Sequence, residues 1–244
     1  MTSYPLSGDG WEIRGCLGDT RRWLSGPGRP AGEPGWLPAR VPGSVLDDLH
    51  RAGQVPDPYH ADNSLAAEWV PQRTWLYRRE ITAAPLAGGE RAVLRFDGVD
   101  HDVTVLVDGR EVAHHSGMYL PFEVDVTDRL AAGGTHLLAV AVHPAPHSEP
   151  RVGRTDRVRI HKSRMGYGWD FCPRMVHQGI WKPVTLEIAG PCGWWTRTSA
   201  PRSANGPTAH RCASPPRWRR GPPGRCGPRS ARPRAGPSPW PNAP

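Results

Sequence analysis

Apolar and polar residues alternate with a period of two in short stretches between Trp11 and Ile188, and glycine, proline or aspartate separates the stretches. Adjacent residues of a β-strand point to opposite faces of a sheet, so this alternation predicts half-buried strands. The predicted strands are Trp11–Gly15, Trp75–Ile81, Ala92–Phe96, Val103–Val107, Arg110–His114, Phe122–Val126, His136–Val142, Val158–His161 and Val184–Ile188.

Turn and helix signals fit a sheet protein. The Asp108-Gly109 dipeptide between two predicted strands is typical of a type I′ hairpin turn, which needs positive φ at both central residues. Ser44 and Asp47 resemble a capping box and predict one short helix that ends at Gly53. A second helical turn is predicted over residues 127–133. Nine short strands with one or two small helices predict an all-β antiparallel sandwich or jelly roll.

The charge of the chain is unevenly distributed. The whole chain of 244 residues carries a formal net charge of +8, but residues 191–244 contain ten Arg and no Asp, Glu or Lys. Residues 1–190 therefore hold 21 basic and 23 acidic residues, a net charge of −2. We expect residues 1–190 to form one domain and residues 191–244, rich in Arg, Pro, Gly and Ala, to form a disordered tail.

Two interpretations of the tail stay open. Arg211, Arg217, Arg219 and Arg220 around Trp218 would suit a nucleic-acid-binding segment. However, 51 of the 54 tail residues have G or C at the second codon position, and none has T there. Out-of-frame translation of a GC-rich gene produces this bias directly, because the biased wobble base becomes the second base. We favour that interpretation, and no nucleic-acid partner is expected.

Several other classes of protein and site are not indicated. The longest purely apolar run, Leu137–Val142, is far shorter than the ~20 residues of a membrane-spanning helix. The first residues show no secretory signal, so a cytoplasmic location with free thiols is expected. The five cysteines form no C-x-x-C pair, and the neighbouring His114 and His115 would point to opposite faces of a strand. We therefore expect no metal and no cofactor, and the sequence does not indicate an oligomeric state.

Candidate binding chemistry is concentrated in residues 162–174, where two glycines and a proline interrupt the strand pattern. Asp170 lies there among aromatic residues, and a fixed carboxylate beside an apolar wall suits recognition of sugar hydroxyls. The alternative is a structural loop in which Asp170 pairs with Arg164 or Arg174. The tryptophans divide in the same way: Trp11, Trp23, Trp36 and Trp75 are predicted to pack in the core, whereas Trp69, Trp169 and Trp181 lie in polar segments and could either pack or stack on a sugar.

Three stretches resemble the N-terminal domain of β-mannosidases of glycoside hydrolase family 2. They are Ala39–Leu49 with Val55–Tyr59, Trp69 and Trp75–Tyr77; Phe96–Asp100 through Val107–Gly109 to Met118–Phe122 and Asp125–Thr127; and Gly168–Arg174 with Gly179–Val184. The resemblance implies a galactose-binding-like jelly roll whose Gly-Trp-Asp loop reaches the terminal mannose. It also implies that Asp170 accepts a hydrogen bond from a sugar hydroxyl while Trp169 shapes the wall.

The resemblance further implies that a separate (β/α)₈ barrel holds both catalytic glutamates, so no catalytic residue is carried onto this chain. It ends where the composition changes, which implies a β-mannosidase-like protein truncated or frameshifted after about residue 190, expected to be inactive alone. Two motifs depart from the family's pattern, since Phe171-Cys172 replaces Trp-Gly and Asn63-Ser64 replaces Asn-Glu. Another β-glycoside, or a stand-alone carbohydrate-binding module, therefore stays an alternative.

Overall fold

The computed structural model describes residues 1–17, 35–146, 160–168 and 170–190. Within these ranges the chain forms ten strands and two short α-helices. In chain order they are β1 (Thr2–Pro5), β2 (Gly8–Cys16), β3 (Leu37–Val41), α1 (Val45–Arg51), β4 (Thr74–Ala83), β5 (Arg91–Phe96), β6 (Asp102–Val107), β7 (Arg110–Ser116), β8 (Phe122–Asp125), α2 (Thr127–Leu130), β9 (Gly134–Val142) and β10 (Val184–Ala189). Short 3₁₀ turns occupy Asn63–Ala67, Val70–Gln72 and Met165–Tyr167.

The described strands pair into two antiparallel sheets. One has four strands in the order β1-β10-β5-β8, and the other has six in the order β3-β2-β4-β9-β6-β7. The main core contains buried residues of both sheets and of α1, with Trp11, Tyr77 and Phe96 among its largest fully buried side chains. This arrangement confirms the predicted all-β sandwich.

The six-stranded sheet also buries part of its outer face. Leu76 of β4 points away from the main core and joins a second cluster with Cys16, Trp36, Leu106, Ala139 and Ala141. The guanidinium of Arg78 lies 3.9 Å from the centre of the Trp36 ring and donates a 2.7 Å hydrogen bond to Glu12. This second cluster explains why the first five residues of β4 are all buried instead of alternating.

Most of the predicted elements are present in the structure. Asp108 and Gly109 have φ of 51° and 74°, as the predicted hairpin turn requires. The Ser44 side chain accepts a 3.2 Å hydrogen bond from the backbone N–H of Asp47 at the start of α1, and Gly53 follows that helix with φ of 67°. The predicted turn over residues 127–133 is α2, and Gly133 follows it with φ of 68°.

The prediction differs from the structure at three strands. It missed β1 and β3, which both lie at sheet edges and both contain proline, a residue tolerated there because an edge strand need not donate every backbone hydrogen bond. Of the predicted strand Val158–His161, only residues 160 and 161 are described, and they lie outside any strand. Residues 191–244, Trp23 and Trp169 lie outside the described residues. None of the helices described is both long enough and apolar enough to cross a membrane.

Candidate functional site

Loops from distant parts of the chain meet beside the N-terminus of α1. The backbone N–H groups of Gly43 and Val45 donate to the carbonyls of Ile180 and Gln178, at 3.0 and 2.9 Å. Gly179, between those carbonyls, exchanges two backbone hydrogen bonds with Asp100, at 2.9 and 3.0 Å. The segment before β10 is therefore fixed on one side to α1 and on the other to the loop before β6.

A cavity of about 380 Å³ opens where these loops meet. Trp181 supplies its aromatic wall and is held by a 2.9 Å hydrogen bond from its indole Nε1–H to the carbonyl of Met118. Polar side chains also line the cavity, among them those of Ser44, Asp47 and His177. The volume lies within the range of small-molecule sites, and a few polar groups beside an aromatic surface suit a neutral polyhydroxylated ring.

A buried ion pair lies at the inner side of this cavity. The side chains of Lys162 and Asp100 are only 3% and 2% exposed, and the ammonium donates to one Asp100 carboxylate oxygen and, at 2.6 Å, to the carbonyl of His177. Burial raises the pKa of Asp100 and lowers that of Lys162, while their mutual attraction opposes both shifts. The pair links the loop that precedes β6 to the segment that follows residue 160.

Burial disfavours the charged form of the two nearby histidines. Burial, and then the charge of Lys162, lowers the pKa of His177. Burial also lowers the pKa of His101, whose Nδ1 is buried with no hydrogen-bond partner among the described residues. The histidine that lines the cavity therefore adds a hydrogen-bonding ring at neutral pH and no positive charge.

Asp170 lies in a loop that is closed at its base. The backbone N–H of Met175 donates a 2.8 Å hydrogen bond to the carbonyl of Gly166, a residue that lines the cavity. A side chain at Gly166 would collide with this closure, because its Cβ would lie 2.7 Å from the carbonyl oxygen of Met175. Between these ends, Asp170 and Phe171 are exposed to solvent. We call residues 166–175 the Asp170 loop.

The contacts of Arg174 and of the tryptophans bear on the alternatives raised for the polar and aromatic residues. The Arg174 guanidinium lies 4.0 Å from the carboxylate of Glu68, and within the described part of the chain no ion pair or hydrogen bond to the Asp170 carboxylate occurs. Trp69 packs against the core, with its ring 5.9 Å from that of Trp75. Trp11, Trp36 and Trp75 are buried, as predicted.

Sequence reasoning did not name as site residues four of the groups around the cavity, namely Asp100, Lys162, His177 and Gln178. Each is polar and lies in an irregular segment, so periodicity gives no sign that it is enclosed. Gln178 is almost fully buried, and its amide donates to the carbonyls of Arg73 and His143, at 3.3 and 2.7 Å, which offsets the cost of burying those N–H groups. The available signal was that Lys162 belongs to the same polar and aromatic stretch as Asp170.

Comparison with known proteins extends this description. A family model for the glycosyl hydrolase 2 galactose-binding domain-like family matches residues 11–182. β-Mannosidase B of Thermothelomyces thermophilus is 34% identical over 162 residues, which cover 62% of this chain and 19% of that protein. β-Mannosidase B of Aspergillus fumigatus is 31% identical over 202 residues, covering 77% of this chain and 22% of that protein.

Solved structures agree with the family match. The crystal structure of β-D-mannosidase from Dictyoglomus thermophilum superimposes with a TM-score of 0.62 at 26% identity, covering 77% of this chain and 22% of that one. The exo-chitosanase of Amycolatopsis orientalis, at 23% identity and a TM-score of 0.58, shares the fold. The chain spans about a fifth of the length of these relatives. It therefore belongs to the glycosyl hydrolase 2 galactose-binding domain-like family, and it corresponds to the N-terminal domain of the family's β-mannosidase-like enzymes.

Proposed function

We propose that this domain supplies a sugar-binding loop to a β-mannosidase-like glycoside hydrolase that cleaves terminal β-D-mannosides with retention of configuration. Retaining hydrolysis needs two free carboxyl groups about 5–5.5 Å apart. Of the cavity carboxylates, Asp100 is held in the buried ion pair, and Asp47 accepts a 2.8 Å hydrogen bond from the Ser44 hydroxyl. The chemistry of the described cavity therefore favours binding over catalysis.

The observation that carries this proposal is the shape of the Asp170 loop. Its 2.8 Å closure fixes the two ends, while the consecutive residues Asp170 and Phe171 are both exposed to solvent. A carboxylate accepts charge-assisted hydrogen bonds from hydroxyl groups, and these are stronger than bonds between neutral groups. We propose that Asp170 accepts a bond from a hydroxyl of the terminal sugar and that Trp169 borders the same subsite.

A titration of the full chain with mannose and mannobiose, followed by NMR, tests the binding role. We expect weak binding that shifts the backbone resonances of the Asp170 loop and is lost in Asp170→Ala. Asp128→Ala is the matched control, because Asp128 is an exposed carboxylate on α2. Equal affinities for the two variants and the unaltered chain would exclude Asp170 from the subsite.

A stand-alone carbohydrate-binding module is the second candidate function, because the cavity and the Asp170 loop are both open to solvent in this chain. Sub-millimolar affinity for a manno-oligosaccharide would favour the module, whereas weaker binding favours a subsite that other parts of an enzyme complete. An assay of the chain on an aryl β-mannoside completes the test. We expect no turnover, and measurable turnover would contradict a purely binding role.

A further inference from the structure

We propose that Asp102, His114 and His143 form a zinc-binding site on the outer face of the six-stranded sheet. Each residue offers one ligand atom, and these three atoms lie within 4.8 Å of one another. The Nε2 of His114 already lies 3.1 Å from an Asp102 carboxylate oxygen. That distance is close to the ~3.3 Å between two ligand atoms in a tetrahedral zinc site with bonds of about 2.0–2.1 Å.

The strand pairing fixes the positions of these residues. Thr104 of β6 lies opposite His114 of β7, and the backbone N–H of His143, just after β9, donates 2.8 Å to the carbonyl of Asp102. Two adjacent strands and the residue that directly follows a third therefore each contribute one ligand from a hydrogen-bonded backbone. Metal sites built on strands vary less in geometry than sites built on loops.

The histidine chemistry suits zinc. Imidazole nitrogens and one carboxylate are ligands that zinc accepts, and three protein ligands leave one position for water. The Thr104 hydroxyl lies 2.9 Å from Nε2 of His143 and restricts the ring in the way that outer groups orient metal-binding histidines. The His114 and Asp102 side chains are 52% and 36% exposed, so solvent zinc can reach the ligand atoms.

The neighbouring histidine is excluded from this site. His115 lies on the inner side of β7, where its ring stacks on that of Phe122 with 4.1 Å between the ring centres. The sequence-based argument that His114 and His115 do not bind one metal is therefore consistent with the site. What that argument lacked was the pairing of β6 with β7 and β9, which supplies Asp102 and His143.

Isothermal titration of the full chain with zinc chloride tests the proposal. Because the chain contains other histidines and cysteines, the decisive quantity is the change in stoichiometry. We expect His114→Ala to lose one zinc equivalent and Asp102→Asn to lose the same equivalent, whereas His60→Ala, which removes an exposed histidine elsewhere, keeps it. Equal stoichiometry and affinity in all four proteins would overturn the proposal.

A second measurement guards against variants that fold poorly. Substoichiometric Cu²⁺, which binds similar nitrogen and oxygen ligands, broadens nearby NMR signals of the unaltered chain. We expect the backbone amides of Thr104 and His143 to broaden before those of His60 and Asp170. Broadening that first affects other regions and leaves Thr104 and His143 unchanged would place the metal elsewhere. The sugar titration is independent of this outcome.

Discussion

Replacing Lys162 by Met tests how the segment carrying the Asp170 loop is held on the sandwich. Methionine is apolar and similar in length, so this variant mainly removes the ammonium and leaves the Asp100 carboxylate buried without a cation. Breaking one side of a buried ion pair costs roughly 3–5 kcal/mol of unfolding free energy, because the remaining charge keeps its desolvation penalty. For a domain of this size, that loss lowers the melting temperature by about 6–20 °C.

The double variant Lys162→Met with Asp100→Asn separates the charge effect from packing. Asparagine carries no charge, so the double variant should recover a coupling energy of about 2 kcal/mol relative to the sum of the single losses. Urea unfolding at pH 7, followed by tryptophan fluorescence, measures each free energy. In Lys162→Met alone, burial still raises the pKa of Asp100, and the ammonium that most strongly opposes this rise is gone. Protonation of Asp100 should therefore reduce the loss as the pH falls.

Two results would refute this reasoning. A loss below about 1 kcal/mol in Lys162→Met would place the pair in the class of solvent-exposed ion pairs. Purely additive losses in the double variant would show that the two charges do not stabilise each other. Either result would show that the ion pair does not hold the segment before the Asp170 loop in place.

Three further predictions concern stability and the origin of the tail. Burial raises the pKa of Asp48 from 3.8 to about 6, so its contribution to stability is fully present below pH 4 and falls by up to about 3 kcal/mol as the pH rises through 6. Asp48→Asn should remove that decline when the free energy of unfolding is measured in urea at pH 4 and pH 7. A variant whose unfolding free energy changes between the two pH values as much as that of the unaltered chain would contradict this prediction. Gly179→Ala should lower the free energy of unfolding by about 2–4 kcal/mol in the same assay. The reason is that φ at Gly179 is 139° and the new Cβ would lie 2.7 Å from the Tyr77 hydroxyl. A loss smaller than about 0.5 kcal/mol would contradict this close packing. The DNA beyond codon 189 should encode barrel-like sequence in another frame, and early stop codons in both other frames would contradict out-of-frame translation.

The sequence predicted strands best where each has one buried and one polar face. β6 and β10 were predicted to within one residue at each end, because their apolar residues alternate or are continuous between clear turn signals. β3 was missed because Pro38 interrupts its pattern, and only its place at the sheet edge makes that proline acceptable. An edge position depends on the order of strands in the sheet, which the local sequence does not contain.

The candidate sugar site was only partly predictable for a similar reason. The stretch around Asp170 is conspicuous by its glycines and aromatic residues, so composition alone brings it to notice. The cavity beside it depends on contacts over long separations, such as the 62 residues between Lys162 and Asp100. A buried lysine has no local sequence signature, because its burial is tolerated only when a distant carboxylate faces it.

The positions of the proposed zinc ligands depend on the register between strands, which is fixed by packing in the core. Inward-facing residues of β6 pair with inward-facing residues of β9: Val103 with Val142, Val105 with Val140, and Val107 with Leu138. A shift of one residue would turn all the valines of one strand away from the core, so apolar burial fixes the register. The same register places Asp102 beside His143 and Thr104 opposite His114 on the other face. The three ligands are thus held by a core that none of them enters. Removing the His114 imidazole should therefore cost the chain one zinc equivalent while leaving the free energy of unfolding without metal within about 0.5 kcal/mol of its original value.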